Sequence, residues 1–402
     1  MREIFFGFDC GYAPTVTDLD GDGKPDFLIS SYHGELVVAF HNSGRFMWQF
    51  RPDRDEPPGW PWGGVSWAKA YAADFDGDGA AEVAVGRFRL YLLDAATGRL
   101  KASRALPEQV QDPAPGLPIG GLAPIRLPGA QQPGIVGLVQ GAGTWALDGN
   151  LDVVWHSPAP LFEHLPHVGD IDGDGFDEIA ASGHWDHKFY VLDHDGRQLW
   201  TDQLDGRYRD SHVDWAVLGL FGGTTRGVAT SEGVIFDGSG KELIDVTGLL
   251  QHGQECVAGQ FRSDRGDWQV IYCDRQPAAV LMVDAQGHLV WRRDDFRDRK
   301  NLCGIKAINW TGSDPNCVVT SEFGGGWGTS RGGAGIYYTY VFDAFGNRLA
   351  QIPWEDSGCR IAPYYGECAP GAAADVDGDG REEYCCCTCD GRLLIFGEDD
   401  AR

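Results

Sequence analysis

The sequence predicts an all-β protein folded as an eight-bladed β-propeller, and three observations support this prediction. The 402 residues include 57 glycines and 21 prolines, which is typical of many short strands joined by tight turns. An acidic loop followed by apolar strands recurs four times along the chain. Weaker copies of the strand pattern fill the gaps, so that eight units follow one another at spacings of about 40 to 64 residues, close to the ~40–50 residues of a propeller blade.

The four strong repeats are nearly superimposable: TDLDGDGKPDFLIS, ADFDGDGAAEVAVG, GDIDGDGFDEIAAS and ADVDGDGREEYCCC. Each continues into an apolar strand such as LVVAF, LYLLD, FYVLD or RLLIF. The weaker copies, which contain GIVGLV, WAVLGLF, WQVIYC and CVVTS, keep the strands and lose the acidic loop. We therefore expect one domain over residues 1–402, with blades that start near residues 14, 66, 117, 164, 212, 252, 302 and 366. A seven-bladed propeller is the alternative if the unit near 117 is not a separate blade.

The two ends of the chain complement each other. The eighth unit lacks a fourth strand, whereas residues 2–8 form a spare strand at the start. Pairing the first strand with the last blade removes an open sheet edge, which would otherwise be free to pair with other chains. We expect residues 2–8 to complete the eighth blade.

The charge and hydrophobicity of the chain exclude several classes of partner. Lys and Arg number 33 against 59 Asp and Glu, a formal net charge of −26, which argues against binding nucleic acid. No run of about 18 apolar residues could span a membrane. The N-terminal segment MREIFFGFDC lacks the pattern of a signal peptide. We expect a cytoplasmic monomer, or a secreted protein if a leader precedes this sequence.

The acidic loops follow the pattern DxDGDGxx[DE], which is typical of a calcium site. Calcium prefers about six to eight oxygen ligands, and positions 1, 3, 5 and 9 of the loop offer carboxylates while position 7 offers a carbonyl. A strand follows each loop where an EF-hand would have a helix, so the EF-hand interpretation fails. The sequence predicts about four structural Ca²⁺ ions. The expected ligands are Asp18, Asp20, Asp22, Asp26, Asp74, Asp76, Asp78, Glu82, Asp170, Asp172, Asp174, Glu178, Asp375, Asp377, Asp379 and Glu383.

These loops resemble the FG-GAP/VCBS repeats of integrin-α-like propellers, which have seven blades. Eight blades, together with the segments HVDWAVLG, HGQECVAGQFRSD and ADVDGDGREE, resemble the rhamnogalacturonan lyases of polysaccharide lyase family 11. That resemblance implies an enzyme that cleaves a uronate-containing glycan by β-elimination. The alternatives are a calcium-braced propeller that recognises glycan or protein without catalysis, and a glycoside hydrolase.

A second group of residues collects on the face opposite the acidic loops. In a propeller, the links between blades and the loops between second and third strands share that face. By this interpretation it carries nine of the 11 histidines, with His156 and His194 at its margin. A basic face on an acidic body favours an anionic ligand such as a uronate. The expected substrate-binding residues are His33, Trp67, Arg87, His167, His184, His187, Gln254 and Trp327.

β-Elimination next to a uronate requires three groups. A cation must neutralise the carboxylate, a base must remove the C5 proton, and an acid must protonate the leaving oxygen. On the same face, the candidates for these catalytic roles are Arg275, Lys306 and Arg360 for the cation, His212 and His252 for the base, and Tyr364 or Tyr365 for the acid.

Two other interpretations of this face stay open. Hydrolysis of a glycoside would need two carboxylates about 5–10 Å apart. The candidates for such a pair are Asp186, Asp210, Asp214, Glu232 and Glu322. The histidines His167, His212 and His252 stand at the same point of successive blades and could hold a transition metal. Each of them could instead bond to the backbone of a neighbouring link.

Overall fold

Eight four-stranded antiparallel sheets, arranged as a β-propeller, make up the fold in a computed structural model. The structure describes residues 2–8, 13–31, 35–52, 70–106, 119–183, 186–204, 206, 213–275, 277–296, 302–312, 317–323, 336–353, 371–387 and 391–398. In that part of the chain the helical content is limited to two 3-10 turns, Thr247–Leu249 and Ser263–Arg265. The predicted all-β class is confirmed, and the blade count is eight rather than seven.

The first four blades lie in one unit of the chain, Thr15–Asp205, which we call the first unit. Strand β1 (Arg2–Phe5) precedes it. Blade 1 contains β2 (Thr15–Thr17), β3 (Asp26–Ser30), β4 (Val37–Phe40) and β5 (Phe46–Phe50). Blade 2 contains β6 (Tyr71–Ala73), β7 (Glu82–Gly86), β8 (Leu90–Asp94) and β9 (Leu100–Arg104). Blade 3 contains β10 (Ile119–Ile125), β11 (Gly134–Val139), β12 (Gly143–Leu147) and β13 (Val153–Ser157). Blade 4 contains β14 (Leu161–Gly169), β15 (Glu178–Gly183), β16 (Lys188–Leu192) and β17 (Gln198–Gln203).

The other four blades lie in a second unit, formed by Met1–Pro14 and Gly206–Arg402. Blade 5 contains β18 (Ala216–Phe221), β19 (Thr225–Thr230), β20 (Val234–Asp237) and β21 (Glu242–Asp245). Blade 6 contains β22 (Gly253–Gly259), β23 (Gln269–Asp274), β24 (Ala279–Asp284) and β25 (Leu289–Arg293). Blade 7 contains β26 (Leu302–Ile308), β27 (Cys317–Phe323), β28 (Ile336–Asp343) and β29 (Arg348–Pro353). Blade 8 contains β30 (Gly371–Ala374), β31 (Glu383–Cys387) and β32 (Arg392–Phe396), with β1 as its fourth strand.

The N-terminal strand completes blade 8. Strand β1 pairs antiparallel with β32, from Arg2 opposite Ile395 to Phe5 opposite Arg392. The pairing extends past the strand, because the Phe6 backbone N–H donates to the Gly391 carbonyl at 2.7 Å. A strand contributed by residues 2–5 thus covers the edge that β32 would otherwise expose, as the fold prediction requires.

The core lies in the middle strands of each blade. Strands β3, β7, β11, β15, β23 and β31 are buried at every position. Within each unit, apolar side chains of consecutive blades pack together and cover the sheet faces between them. The run Cys385, Cys386 and Cys387 lies in β31 and is buried as free thiols, with Cys386 packed in a cluster with residues of blade 7. The fourth strands, by contrast, keep exposed positions. No helix among the described residues is long and apolar enough to cross a bilayer.

A tryptophan on the fourth strand links several blades to the next one. Its indole N–H donates to a backbone carbonyl in the turn between the third and fourth strands of the following blade. The three pairs are Trp48 with Ala95 at 2.7 Å, Trp155 with His194 at 2.8 Å, and Trp291 with Ala344 at 3.0 Å. Because each indole is held at both its ring and its N–H, the contact orients one blade against the next.

A glycine in each receiving turn makes room for the indole ring. Gly98 has a φ of +69°, and a Cβ placed on it would lie 2.5 Å from the ring of Trp48. Gly196 faces Trp155 and Gly346 faces Trp291 in the same way, at 2.6 and 2.9 Å. The glycine is therefore required twice, for the left-handed backbone and for the close approach.

We predict that Gly98→Ala destabilises the protein more than Gly129→Ala. Both glycines have left-handed backbone, with φ of +69° and +75°, so both alanines carry a conformational cost of roughly 1–2 kcal/mol. Only the alanine at 98 meets Trp48, since a Cβ at 129 has open space around it. Overpacking should add about 1–3 kcal/mol at 98 alone, as measured by urea denaturation. Equal losses for the two variants would show that the Trp48 contact does not orient the blades.

Candidate functional site

The four acidic loops, called loops 1 to 4 in chain order, join the first strand to the second in blades 1, 2, 4 and 8, respectively. The four loops share one conformation. The carboxylate at position 1 accepts the N–H of position 4 in every loop. These bonds are Gly21 to Asp18 and Gly77 to Asp74 at 2.7 Å, Gly173 to Asp170 at 2.6 Å, and Gly378 to Asp375 at 2.7 Å. Positive φ at positions 4 and 6, supplied by glycine, turns the chain so that the carboxylates face a common centre.

The carboxylate at position 9 ends each loop and is buried. It accepts the N–H of position 2, whose apolar side chain is buried as well. The four bonds are Leu19 to Asp26 at 3.1 Å, Phe75 to Glu82 and Ile171 to Glu178 at 2.9 Å, and Val376 to Glu383 at 2.8 Å. Each loop therefore brings one negative charge into the protein, and an uncompensated buried charge is costly.

Glu178 shows this cost most clearly. Its side chain is fully buried, and burial, followed by the nearby carboxylates of Asp172, Asp174 and Asp193, raises its pKa to about 7. Within the described residues its Oε1 atom receives no hydrogen bond. Asp170, Asp172 and Glu178 bring carboxylate oxygens within 4.8 Å of one another. This set of hard oxygen donors fits a calcium ion.

An imidazole faces two of the loops. In loop 1, His41 Nε2 lies 3.3 Å from Asp22 and 3.7 Å from Asp20. In loop 3, His194 Nδ1 lies 3.3 Å from Asp174 and 3.7 Å from Glu178. The placement of His194 on the opposite face, expected from sequence, was therefore wrong: the turn that follows the third strand lies at the same end of blade 4 as the acidic loop.

The other two loops contact a permanent cation. In loop 2 the Lys101 ammonium lies 2.5 Å from Asp76, 2.7 Å from Glu82 and 3.3 Å from Asp78. In loop 4, Arg381 pairs with Asp379 and also, at 2.9 Å, with Glu398 outside the loop. Sequence reasoning missed Lys101, because it lies 19 residues beyond Glu82 and in no motif.

Position 8 carries an additional contact in two loops. Asp177 accepts the Arg126 backbone N–H at 2.7 Å and its guanidinium Nε at 3.0 Å. Glu382 accepts the Asn309 backbone N–H at 2.6 Å. Each pair connects the acidic loop to the preceding blade. The extra acid before position 9, in FDE and REE, was a signal of this contact in the sequence.

A histidine–carboxylate pair lies at the opposite end of the second-unit blades. His252 precedes β22, and its Nε2 lies 3.1 Å from Oδ2 of Asp214, which precedes β18. Asp214 is 1% exposed, and the His252 side chain is 13% exposed. The His252 backbone N–H donates to Asp274 at 2.8 Å, which anchors the residue at the start of its strand. The pair is thus a partly exposed imidazole backed by a buried carboxylate.

Two cations accompany this pair in blades 6 and 7. Arg275 directly follows β23, donates its backbone N–H to the His252 carbonyl at 2.8 Å, and contacts Gln254 through Nη1 at 3.2 Å. Lys306 pairs with the buried Glu255 at 3.1 Å and lies 4.2 Å from the ring centre of Trp215. Lys306 is the more accessible cation, since Arg275 and Gln254 are almost fully buried.

The remaining expected binding residues are spread over the first unit or lie outside the described residues. Arg87 is buried and contacts Glu35 at 3.4 Å, His167 is buried within β14, and His187 is exposed with a φ of +52°. Left-handed backbone at a residue other than glycine is uncommon and is found at functional loops. The residues outside the described part are His33, Trp67, His184, His212, Trp327, Arg360, Tyr364 and Tyr365.

The carboxylates considered for hydrolysis are mostly engaged. Asp186 accepts the Tyr190 hydroxyl, and Glu322 accepts the Tyr340 hydroxyl at 2.6 Å. Asp214 holds His252 as described above, Glu232 is buried, and Asp210 lies outside the described residues. The two tyrosine-bonded carboxylates therefore serve as acceptors within their own blades.

Comparison with known proteins gives the fold and one repeat family. Residues 18–85, which span the first two acidic loops, match the FG-GAP-like repeat. No curated protein gives a significant sequence match. Sqt1 of Saccharomyces cerevisiae is similar with a TM-score of 0.63 at 10% identity, over 99% of this chain and 98% of Sqt1. BamB from Moraxella catarrhalis has a TM-score of 0.58 at 13% identity, over 98% and 96%. The Bacillus licheniformis rhamnogalacturonan lyase PL11 has a TM-score of 0.48 at 16% identity, over 96% and 71%. Identities this low show likeness of fold alone.

We predict that Lys306→Met destabilises the protein by roughly 2–3 kcal/mol. The change leaves the Glu255 carboxylate buried without its ammonium; breaking a fully buried pair costs ~3–5 kcal/mol, and Lys306 is partly exposed. The double variant Lys306→Met, Glu255→Gln should recover part of this loss in urea denaturation. As a control, Lys241→Met, at an exposed turn of blade 5, should have little effect. A single Lys306→Met variant as stable as wild type would show that the pair contributes nothing.

Proposed function

We propose that this chain is a calcium-braced propeller that cleaves a uronate-containing glycan by β-elimination. The observation that carries the proposal is the His252–Asp214 pair, which lies at the end of the blades opposite the acidic loops. The Lys306 ammonium lies 4.2 Å from the ring centre of Trp215, the residue after Asp214. The segments that resemble rhamnogalacturonan lyases, HVDWAVLG and HGQECVAGQFRSD, contain Asp214 and His252, so the sequence resemblance and the geometry point to the same residues.

His252 is the proposed base. With Asp214 accepting the proton on Nε2, the imidazole is held in the tautomer whose Nδ1 lone pair can take the C5 proton of the uronate. The negative charge of Asp214 then stabilises the imidazolium that forms. The bond from its backbone N–H to Asp274 holds the backbone of His252 in place, and Asp214 holds the ring.

Lys306 is the proposed cation for the substrate carboxylate. Its ammonium pairs with Glu255 and lies over the Trp215 ring, and it is partly accessible where Arg275 is buried. Arg275 contributes through the carbonyl of His252 and the side chain of Gln254, and so positions the base. Neutralising the carboxylate makes the C5 proton easier to remove.

Calcium is the proposed cofactor of the acidic loops. The fully buried Glu178 carboxylate, with an Oε1 atom that receives no hydrogen bond in the described residues, fits a bound cation in loop 3. The same donor set recurs in loops 1 and 4. A bound ion would neutralise the carboxylates and hold the connection between first and second strands in shape.

The elimination is tested with a panel of uronate-containing oligosaccharides, rhamnogalacturonan fragments included, in the presence of calcium. We expect wild type to form the unsaturated product, which is measured by its ultraviolet absorbance. We expect His252→Ala to lower the rate of its formation by about 10²–10⁴-fold. Asp214→Asn should lose rate without abolishing it. The control is His288→Ala, which removes an exposed histidine from the turn between the third and fourth strands of blade 6. This turn lies at the other end of the blade from His252, so the variant should retain full activity. New reducing ends without the absorbance would contradict elimination and indicate a hydrolase.

Recognition without catalysis is the second candidate function. Arg275 and Gln254 contact each other in a buried position, which is typical of a structural support. A protein that binds these oligosaccharides while releasing neither unsaturated product nor reducing ends would have this function. His252→Ala would then weaken binding and leave no rate to measure.

We predict that Glu178→Gln separates stability with calcium from stability without it. Glutamine keeps the acceptor for the Ile171 N–H but removes a buried charge, so the variant should be at least as stable as wild type when calcium is chelated. With calcium at 100 times its Kd, the variant should miss about 2.7 kcal/mol of stabilisation. Denaturation with and without calcium measures both values, with Glu242→Gln on a blade without an acidic loop as the control. An equal calcium response in Glu178→Gln and wild type would exclude this loop as a site.

A further inference from the structure

The second acidic loop contains its own cation. The Lys101 ammonium contacts Asp76, Asp78 and Glu82, which are positions 3, 5 and 9 of the loop. An ammonium group has three N–H donors, and here each is matched by one carboxylate. Those oxygens are the ones that a calcium ion would require.

Lys101 occupies a recurrent structural position. In blades 1 to 7 the pairing of the third strand with the fourth is interrupted by one extra residue on the fourth strand. Lys101 is this residue in blade 2, between Leu100, opposite Leu93, and Ala102, opposite Leu92. In the other six blades the extra residue is apolar: Met47, Val154, Leu199, Leu243, Val290 and Leu349.

Blade 2 also differs at this position from two other blades that have an acidic loop. Blades 1 and 4 combine an acidic loop with Met47 and Leu199 at this position, whereas blade 2 combines one with lysine. The bulge aims the blade 2 side chain at the loop, and the ammonium reaches its centre.

We propose that Lys101 is the resident cation of the second loop and that this loop takes no calcium. The inference rests on the calcium binding proposed above for the other loops, from which it separates the second. A calcium ion needs several loop oxygens at about 2.3–2.6 Å, and it cannot approach them while the ammonium holds three of the carboxylates. Entry of calcium would require the lysine to leave all three contacts at once.

The presence of Lys101 in place of calcium has a consequence for the stability of blade 2. Blade 2 keeps its loop neutralised by a covalently attached charge, so its connection between β6 and β7 does not depend on the calcium concentration. Blades 1, 4 and 8 would loosen when calcium is removed, whereas blade 2 would not.

The test is the calcium stoichiometry of wild type and of Lys101→Met, by equilibrium dialysis of the full chain. Methionine is the residue that blade 1 carries at the same position, so the variant copies a natural neighbour. We expect three bound ions in wild type, from loops 1, 3 and 4, and one more ion in Lys101→Met. The reverse variant, Met47→Lys, should lose one ion from loop 1. The control Lys241→Met should bind as wild type does.

Each result decides the proposal. Four ions in wild type, or an equal number in wild type and Lys101→Met, would overturn it. If wild type binds no calcium, the calcium proposal itself fails, and the role of Lys101 is judged by denaturation in chelator. There, a loss of stability in Lys101→Met that is absent in Lys241→Met would support a resident cation, and equal stability would overturn it.

Discussion

The burial of a carboxylate at the end of each acidic loop is the constraint on which the rest of these blades depends. Position 9 is the first residue of the second strand, so its side chain enters the covered layer between blades, where Asp26, Glu82 and Glu178 are almost fully buried. One backbone N–H from position 2 does not neutralise a full charge. The side chain that faces these carboxylates differs among the four loops: it is an imidazole in the first and third, Lys101 in the second and Arg381 in the fourth.

The acidic loops and the histidine–carboxylate pair lie at different ends of the blades. The acidic loops lie where first and second strands meet, and the His252–Asp214 pair lies where a blade is joined to the one before it. Indole contacts such as Trp48 with Ala95 keep consecutive blades in register, so residues on different blades can meet at fixed distances. An imidazole and a carboxylate, 38 residues apart in sequence, become neighbours because blades 5 and 6 pack against each other.

The repeats allowed the fold and the positions of the acidic loops to be predicted, because the spacing of their residues is local. Asp170, Asp172 and Glu178 are close in the chain, and the structure brings their oxygens together. His194 was expected at the margin of the opposite face, but the turn after the third strand of blade 4 brings it against Asp174 of the acidic loop. Lys101 carried no signal in any motif: its effect depends on a bulge in β9 and on a loop in a different part of the sheet.

The sequence by itself determined the eight-bladed architecture and the pattern of the acidic loops, since apolar alternation, glycine turns and carboxylate spacing are properties of consecutive residues. Only the tertiary structure decided which basic side chain faces each loop, and that His252 meets Asp214 while Arg275 is buried against Gln254. The physical reason is that counter-charges and proton acceptors act over a few ångströms. Strand pairing and blade packing set those distances, and residue order along the chain does not.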